Sequence, residues 1–164
     1  MSTNRWLLFG VMLLPWLSIP LLGNKYIKRF LPATIFITSF VHFEGLYAER
    51  RKWWWFFERL HPKMNGMTPF LLGPFTVGTL WILRFTFGNF LLFIVTNFLV
   101  HLAFVFPLLN WLTKIGIGSL IRFNRMQLLA LFTFKSALLY VFQMFVEKLK
   151  NISRDNNQYH STTE

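Results

Sequence analysis

The stretch FGNFLLFIVTNFLVHLAFVFPLLNWL, residues 87–112, decides the fold. It runs for 26 residues without an acidic or basic side chain other than His101. A helix needs about 20 predominantly apolar residues to cross the hydrocarbon core of a bilayer. The stretch is longer than one crossing requires, and Pro107, which cannot donate a helical hydrogen bond, falls late in it.

Upstream, residues 68–83 form a shorter apolar run. Pro69, Gly73, Pro74 and Gly78 interrupt it, and Arg84 ends it. Length alone makes residues 68–112 two crossings. A re-entrant segment is the alternative, because Gly and Pro break the run. Before it lies the run 30–48, with Pro32 near its start, where a helix tolerates proline. The first run, 6–22, follows Arg5 and ends Ser18, Ile19, Pro20, Leu21, Leu22, Gly23. A cleaved signal peptide calls for small residues in an A-x-A-like arrangement. The run therefore reads as an uncleaved signal-anchor helix, kinked by Pro15 and Pro20. Downstream, the basic linker 114–125 carries Gly116 and Gly118, and the fifth run covers 126–146. Residues 147–164 are polar and read as a disordered tail. The expected fold is all-α: a single-domain polytopic helix bundle over residues 1–146.

The whole chain agrees. Of 164 residues, 54% are hydrophobic and 14% charged, whereas a soluble domain carries about 25% charged residues. Such a surplus of apolar surface excludes a disordered chain and argues against a soluble enzyme. The chain has no Cys, which excludes disulfides, thiolate metal sites and a Cys nucleophile. The net charge of +11 sits in short clusters between the apolar runs, so it reads as membrane topology and not as a nucleic-acid surface.

The densest cluster is Glu49, Arg50, Arg51, Lys52, followed by Trp53, Trp54, Trp55, Phe56 and Phe57. Indole rings favour the headgroup level, and Lys or Arg meet lipid phosphate there. On a helix Trp53, Phe56, Phe57 and Leu60 share a face. We expect a short amphipathic interfacial helix over 50–61, ended by Pro62, with Arg50, Arg51, Lys52, Trp53, Trp54 and Trp55 in contact with lipid.

Five crossings place Arg5, Arg50, Arg51, Lys52, Arg59, Lys63, Lys114, Arg122 and Arg125 on one side, nine cations. The other side receives Lys25, Lys28, Arg29, Arg84, Lys148, Lys150 and Arg154, seven. The more basic side is cytoplasmic, so the N-terminus is expected inside and the C-terminus outside. Four crossings would put both inside.

Polar groups within the runs are costly and therefore informative. Lys135 lies about 13 Å into the fifth run, too deep to snorkel readily. Glu44, the only acid within a run, lies about 6 Å from the end of the second. Five crossings bring those two ends to one side, so a Glu44–Lys135 pair is allowed. Alternatively, Glu44 reaches headgroup water and Lys135 bonds backbone carbonyls. His101 and Asn97 lie one turn apart on the fourth run, with Thr96 and Asn89 on the same broad face, and His42 follows Thr38 and Thr34 on the second. His42, Glu44, Asn97, His101 and Lys135 form a candidate intramembrane polar seam. It serves either a proton relay, metal or small substrate, or ordinary interhelical hydrogen bonding, and bonding is the preferred reading. Ser136, Tyr140, Gln143 and Glu147 make a further stripe, read as packing. His42 and Glu44 point to different faces, and the four His form no metal-binding motif, so neither a metal nor another cofactor is expected. Glycines form no P-loop or dinucleotide fingerprint, and no nucleophile has a matching base and acid.

The strings ERRKWWWFF (49–57), LLGPFTVGTLWILRFTFGNF (71–90), FNRMQLLALF (123–132) and LLYVFQ (138–143) resemble a family of small multi-pass membrane proteins of spore-forming bacilli and clostridia. The resemblance covers about residues 30–146. It implies a Gram-positive plasma membrane, but no activity and no functional residues.

The expectation is a multi-pass plasma-membrane protein without enzymatic activity, structural or accessory in role. Its partners are the bilayer and either a second copy or another membrane protein. One alternative is a small channel or transporter subunit working through His101, Asn97 and Lys135. Another is a lipid-acting enzyme, which needs His42, Glu44 or His101 clustered at one membrane face.

Overall fold

The computed structural model describes residues 3–61 and 64–161, with side chains from Arg5 to Ser153. Helix α1 (Thr3–Leu13) passes through a 3-10 turn, Leu14–Ser18, into α2 (Ile19–Leu22). Pro15 sits in the first turn of that 3-10 segment, where its missing N–H costs no hydrogen bond. Gly23, at φ +82°, reverses the chain into α3 (Asn24–Arg50). That backbone conformation strains any residue with a Cβ, so glycine suits the turn.

Helix α3 begins six residues before the apolar run it contains. Lys25, Lys28 and Arg29 are good helix formers, and a change in polarity does not stop a helix. The same holds at the far end of the chain, where α8 (Arg125–Ser161) continues through most of the segment expected to be a disordered tail. Residues 147–161 contain neither Gly nor Pro to break it.

The third run folds as α4 (Thr68–Phe70), a π turn at Leu71–Phe75 and α5 (Thr76–Thr86). The fourth folds as α6 (Phe90–Ala103), a π turn at Phe104–Leu108 and α7 (Leu109–Lys114). Each π turn contains a proline, Pro74 or Pro107. The wider turn accommodates a residue that cannot donate and would clash with the preceding carbonyl.

Residues 68–86 do not turn back. They run parallel to the first helix: α1 packs on α4 and the first π turn, and α2 packs on α5. At the end, Arg84 Nη1 donates to the carbonyls of Leu21 and Leu22 at 2.7 and 2.9 Å. Nineteen helical residues cover about 28 Å. The result is five helical legs in alternating direction. Four stretches, Arg5–Leu22, Asn24–Arg50, Phe90–Lys114 and Arg125–Ser153, are long and apolar enough to cross a membrane.

The interfacial helix expected at 50–61 is not formed. After Arg50 the chain turns, with Lys52 at φ +55°, into strand β1 (Trp54–Phe56). It pairs antiparallel with β2 (Gly118–Leu120), placing Trp54 opposite Leu120 and Phe56 opposite Gly118. Consecutive aromatic residues favour extended backbone, and the glycine-containing linker supplies the partner. Trp53 O collects the N–H groups of Ile121, Arg122 and Phe123 at 3.0–3.3 Å, and Phe57 N–H donates to Ile117 O at 2.9 Å. Gly118 accepts the Phe56 ring so closely that a Cβ would lie 2.9 Å from it. Pro62 and Lys63 lie outside the described residues.

The main core joins α3, α5, α6 and α8 through Phe30, Ile37, Leu80, Leu83, Phe93 and Leu139. Phe36 and Phe142 stack at 4.0 Å between α3 and α8. Outward faces stay apolar, as at Leu17, Leu91, Leu99, Phe134 and Val141.

Leg one is held at a close backbone crossing. A Cβ on Gly73 would lie 2.3 Å from Val11 O and 2.8 Å from Met12 Cα. Both are backbone atoms, so the helices themselves must separate. Gly73→Ala is expected to cost about 1–3 kcal/mol, the usual range for overpacking. It should also break the bond that half-exposed Trp16 makes from Nε1–H to Leu72 O at 3.0 Å. Unfolding midpoints and tryptophan emission in detergent micelles check this, and an unshifted midpoint would refute the crossing.

Candidate functional site

The polar seam assembles where α3, α6 and α8 meet. Lys135 Nζ and Glu44 Oε2 are 2.7 Å apart. Their side chains are 5% and 12% exposed. Antiparallel α3 and α8 bring the late part of one beside the first third of the other, which puts the two charges level. The ammonium also lies 4.6 Å from the centre of the Phe132 ring, whose negative face attracts it. Glu44 Oε1 is buried without a partner among the described residues. The attraction within the pair repays only part of the cost of removing each ion from water, since a buried pair breaks even only when its remaining lone pairs are also bonded.

One residue along α8, Ser136 Oγ lies 2.9 Å from His101 Nε2 and donates to Phe132 O at 3.1 Å. The same carbonyl bond is made by other buried hydroxyls in the bundle, Thr34 to Phe30 O at 3.0 Å and Thr79 to Phe75 O at 2.7 Å. Asn97 turns to its own helix, Nδ2 donating to Phe93 O at 2.8 Å. Asn89 accepts from Leu92 N at 3.1 Å as the N-cap of α6. Thr38 and Thr76 hydroxyls lie 3.3 Å apart between α3 and α5.

The seam is thus brought together only in part. Glu44, Lys135 and His101 converge with Ser136, Asn97 bonds locally, and His42 is half-buried beside Phe43. No group of three metal-ligating side chains occurs among the described residues.

Toward the opposite end, Arg29 Nε donates to Glu147 Oε1 at 2.7 Å, and Gln143 Nε2 donates to the same oxygen at 2.8 Å. Lys150 reaches Arg29 O at 3.4 Å. The Ser136, Tyr140, Gln143, Glu147 stripe therefore faces the bundle. Sequence reasoning counted Arg29 and Arg84 only for topology. The signal in reach was position: each stands at a helix end, where a long cation can bond back to neighbouring backbone or acid.

The aromatic-basic stretch divides by residue. Trp54 is 8% exposed and belongs to a core cluster with Ala48, Val105 and Leu128, so it is not a lipid contact. Strand alternation turns it inward between its neighbours. Trp53 stacks on Phe123 at 4.8 Å, and Trp55 lies beneath the Arg59 guanidinium at 5.4 Å. Arg59 in turn pairs with Glu49 at 2.5 Å. Arg50, Arg51 and Lys52 are exposed.

No protein-family model, curated protein or solved structure matches the chain.

Proposed function

We propose that this chain is a multi-pass integral protein of the plasma membrane with a structural or accessory role and no enzymatic activity. One observation carries the reading: each ionisable group at the heart of the seam meets a polar side chain on a neighbouring helix. Lys135 meets Glu44, and His101 meets Ser136. Polar groups used this way tie helices together in a low-dielectric interior. The apolar outer faces suit lipid and a neighbouring protein or second copy. Lys25 stands at one end of the bundle and Arg122 at the other, as five crossings require. The resemblance to proteins of spore-forming bacteria favours a Gram-positive plasma membrane.

The Cys-free chain allows a direct test with a membrane-impermeant thiol reagent on intact cells. Lys25→Cys should label from outside, and Arg122→Cys only after permeabilisation. Ser136→Cys should stay silent in both conditions. Labelling of Ser136→Cys would bring water to mid-membrane and replace this reading with a channel or transport subunit. Labelling of positions 25 and 122 from one side would overturn the five-crossing topology.

A further inference from the structure

Helix α3 carries polar residues on two faces. Thr34 and Glu44 look into the bundle, where Thr34 donates to Phe30 O and Glu44 meets Lys135. Ser39 and His42 lie on the other side. Ser39 is exposed and His42 half-buried, and neither makes a side-chain hydrogen bond among the described residues. Ser39 thereby departs from Thr34, Thr79, Thr86, Thr133 and Ser136, each of which bonds the carbonyl four residues back on its own helix. At 1.5 Å per residue, both residues lie within about 8 Å of the midpoint of α3 (Asn24–Arg50), well inside a hydrocarbon layer about 30 Å thick. Polar side chains at that depth are costly when they face lipid, and they bond across to neighbouring helices.

Their surroundings have the pattern of a helix–helix seam. Pro32, Ile35, Ser39, His42 and Leu46 recur at alternating spacings of three and four. This is the a/d repeat of a left-handed helix pair, in which each side chain enters a hole formed by four residues of the facing helix. Pro32, Ile35 and Leu46 are exposed. Within the chain α5 and α8 pack on the other face of α3, at Ala33, Ile37 and Val41.

A matching occupant must present hydrogen-bonding groups at the depth of Ser39 and His42, and a second α3 does so. Copies inserted alike run parallel. In a parallel pair the hole that receives an a residue includes the d residue following it, so a two-fold axis sets Ser39 of each copy against His42 of the other. Hydroxyl and neutral imidazole each donate and accept, so the pairing works with either tautomer. The same two residue types already join helices inside the bundle, where His101 Nε2 and Ser136 Oγ lie 2.9 Å apart between α6 and α8. Lys28 extends the stripe toward the helix start, where its ammonium reaches headgroup water and needs no burial.

We propose that the outer face of α3 is a two-fold interface with a second copy of this chain, set in register by reciprocal Ser39–His42 hydrogen bonds, an assignment that rests on the multi-pass membrane reading above.

Energy transfer between full chains tests it. Donor and acceptor dyes are attached at Arg122→Cys, and the chains are reconstituted in liposomes and diluted with lipid. Transfer should exceed the random-proximity level and fall on dilution as dimers dissociate. Ser39→Ala and His42→Leu should each weaken dimerisation by about an order of magnitude, since an interhelical hydrogen bond in a membrane is worth about a factor of three and either change removes both. His42→Gln keeps a donor and an acceptor and should hold the dimer. Leu99→Ala, on the exposed face of α6, should leave it unchanged. A Ser39→Ala chain mixed with a His42→Leu chain regains one bond that neither makes with itself, so the mixed pair should be favoured about threefold over either self-pair. Far-ultraviolet circular dichroism confirms that each variant is folded. Random-proximity transfer at every dilution leaves the face to lipid or to a different protein and overturns the second copy, with the membrane reading intact. A dimer that neither Ser39→Ala nor His42→Leu weakens overturns the interface, and a mixed pair no stronger than the self-pairs overturns the reciprocal bonding. A chain that alkaline carbonate washes from membranes overturns both the interface and the membrane reading.

Discussion

Lys135→Met is expected to destabilise the protein by about 3–5 kcal/mol, the cost typical of removing one member of a buried ion pair. The change leaves Glu44 facing apolar side chains at a site where its carboxylate is 12% exposed. Glu44→Met should cost a similar amount by stranding the ammonium. The double variant Glu44→Met/Lys135→Met should recover most of the loss, because two matched apolar side chains avoid desolvating any charge. Unfolding midpoints in detergent micelles, taken as a double-mutant cycle, measure the coupling directly. Single-variant losses that simply add in the double variant would show that the two residues do not interact. This pattern separates a bonding seam from a transport seam, since a transport role predicts altered ion flux in proteoliposomes whatever the stability.

Trp54→Ala should cost about 3–5 kcal/mol, the range for truncating a large aromatic in a core. Trp54 packs against Ala48, Val105 and Leu128, with Phe123 edge-on at 6.3 Å. Phe57, three positions on, is 60% exposed, and Phe57→Ala should change stability by less than about 0.5 kcal/mol. The comparison needs only the two midpoints. Equal effects would contradict the inward placement of Trp54 and restore the view of Trp53–Trp55 as a uniform lipid contact.

The helices were largely legible. A chain segment such as 87–112 can leave water only as a helix or closed barrel, since its backbone groups must bond within the chain. Charge and length then marked the other runs. Helix ends were less legible, because hydropathy records where lipid contact ends and not where hydrogen bonding stops. Hence α3 starts at Asn24 and α8 reaches Ser161. Within the seam, an acid and a base in two separate runs suggested Glu44–Lys135, since burial of either alone is costly. The partner of His101 was not legible. Ser136 lies 35 residues away, and any of several hydroxyls had the same chemistry.

By itself the sequence determined the helical class, the five runs and the short supply of internal charge, because these follow from local composition and the energetics of burying polar groups. Only the tertiary structure decided the rest. It turned ERRKWWWFF from a surface helix into a strand, since a strand exists only when a partner completes its hydrogen bonds, and that partner lies more than sixty residues on. It sent Trp54 inward and Phe57 outward. Those outcomes depend on which helices pack side by side. Such non-local contacts are summed over the whole fold and written in no single stretch of the chain.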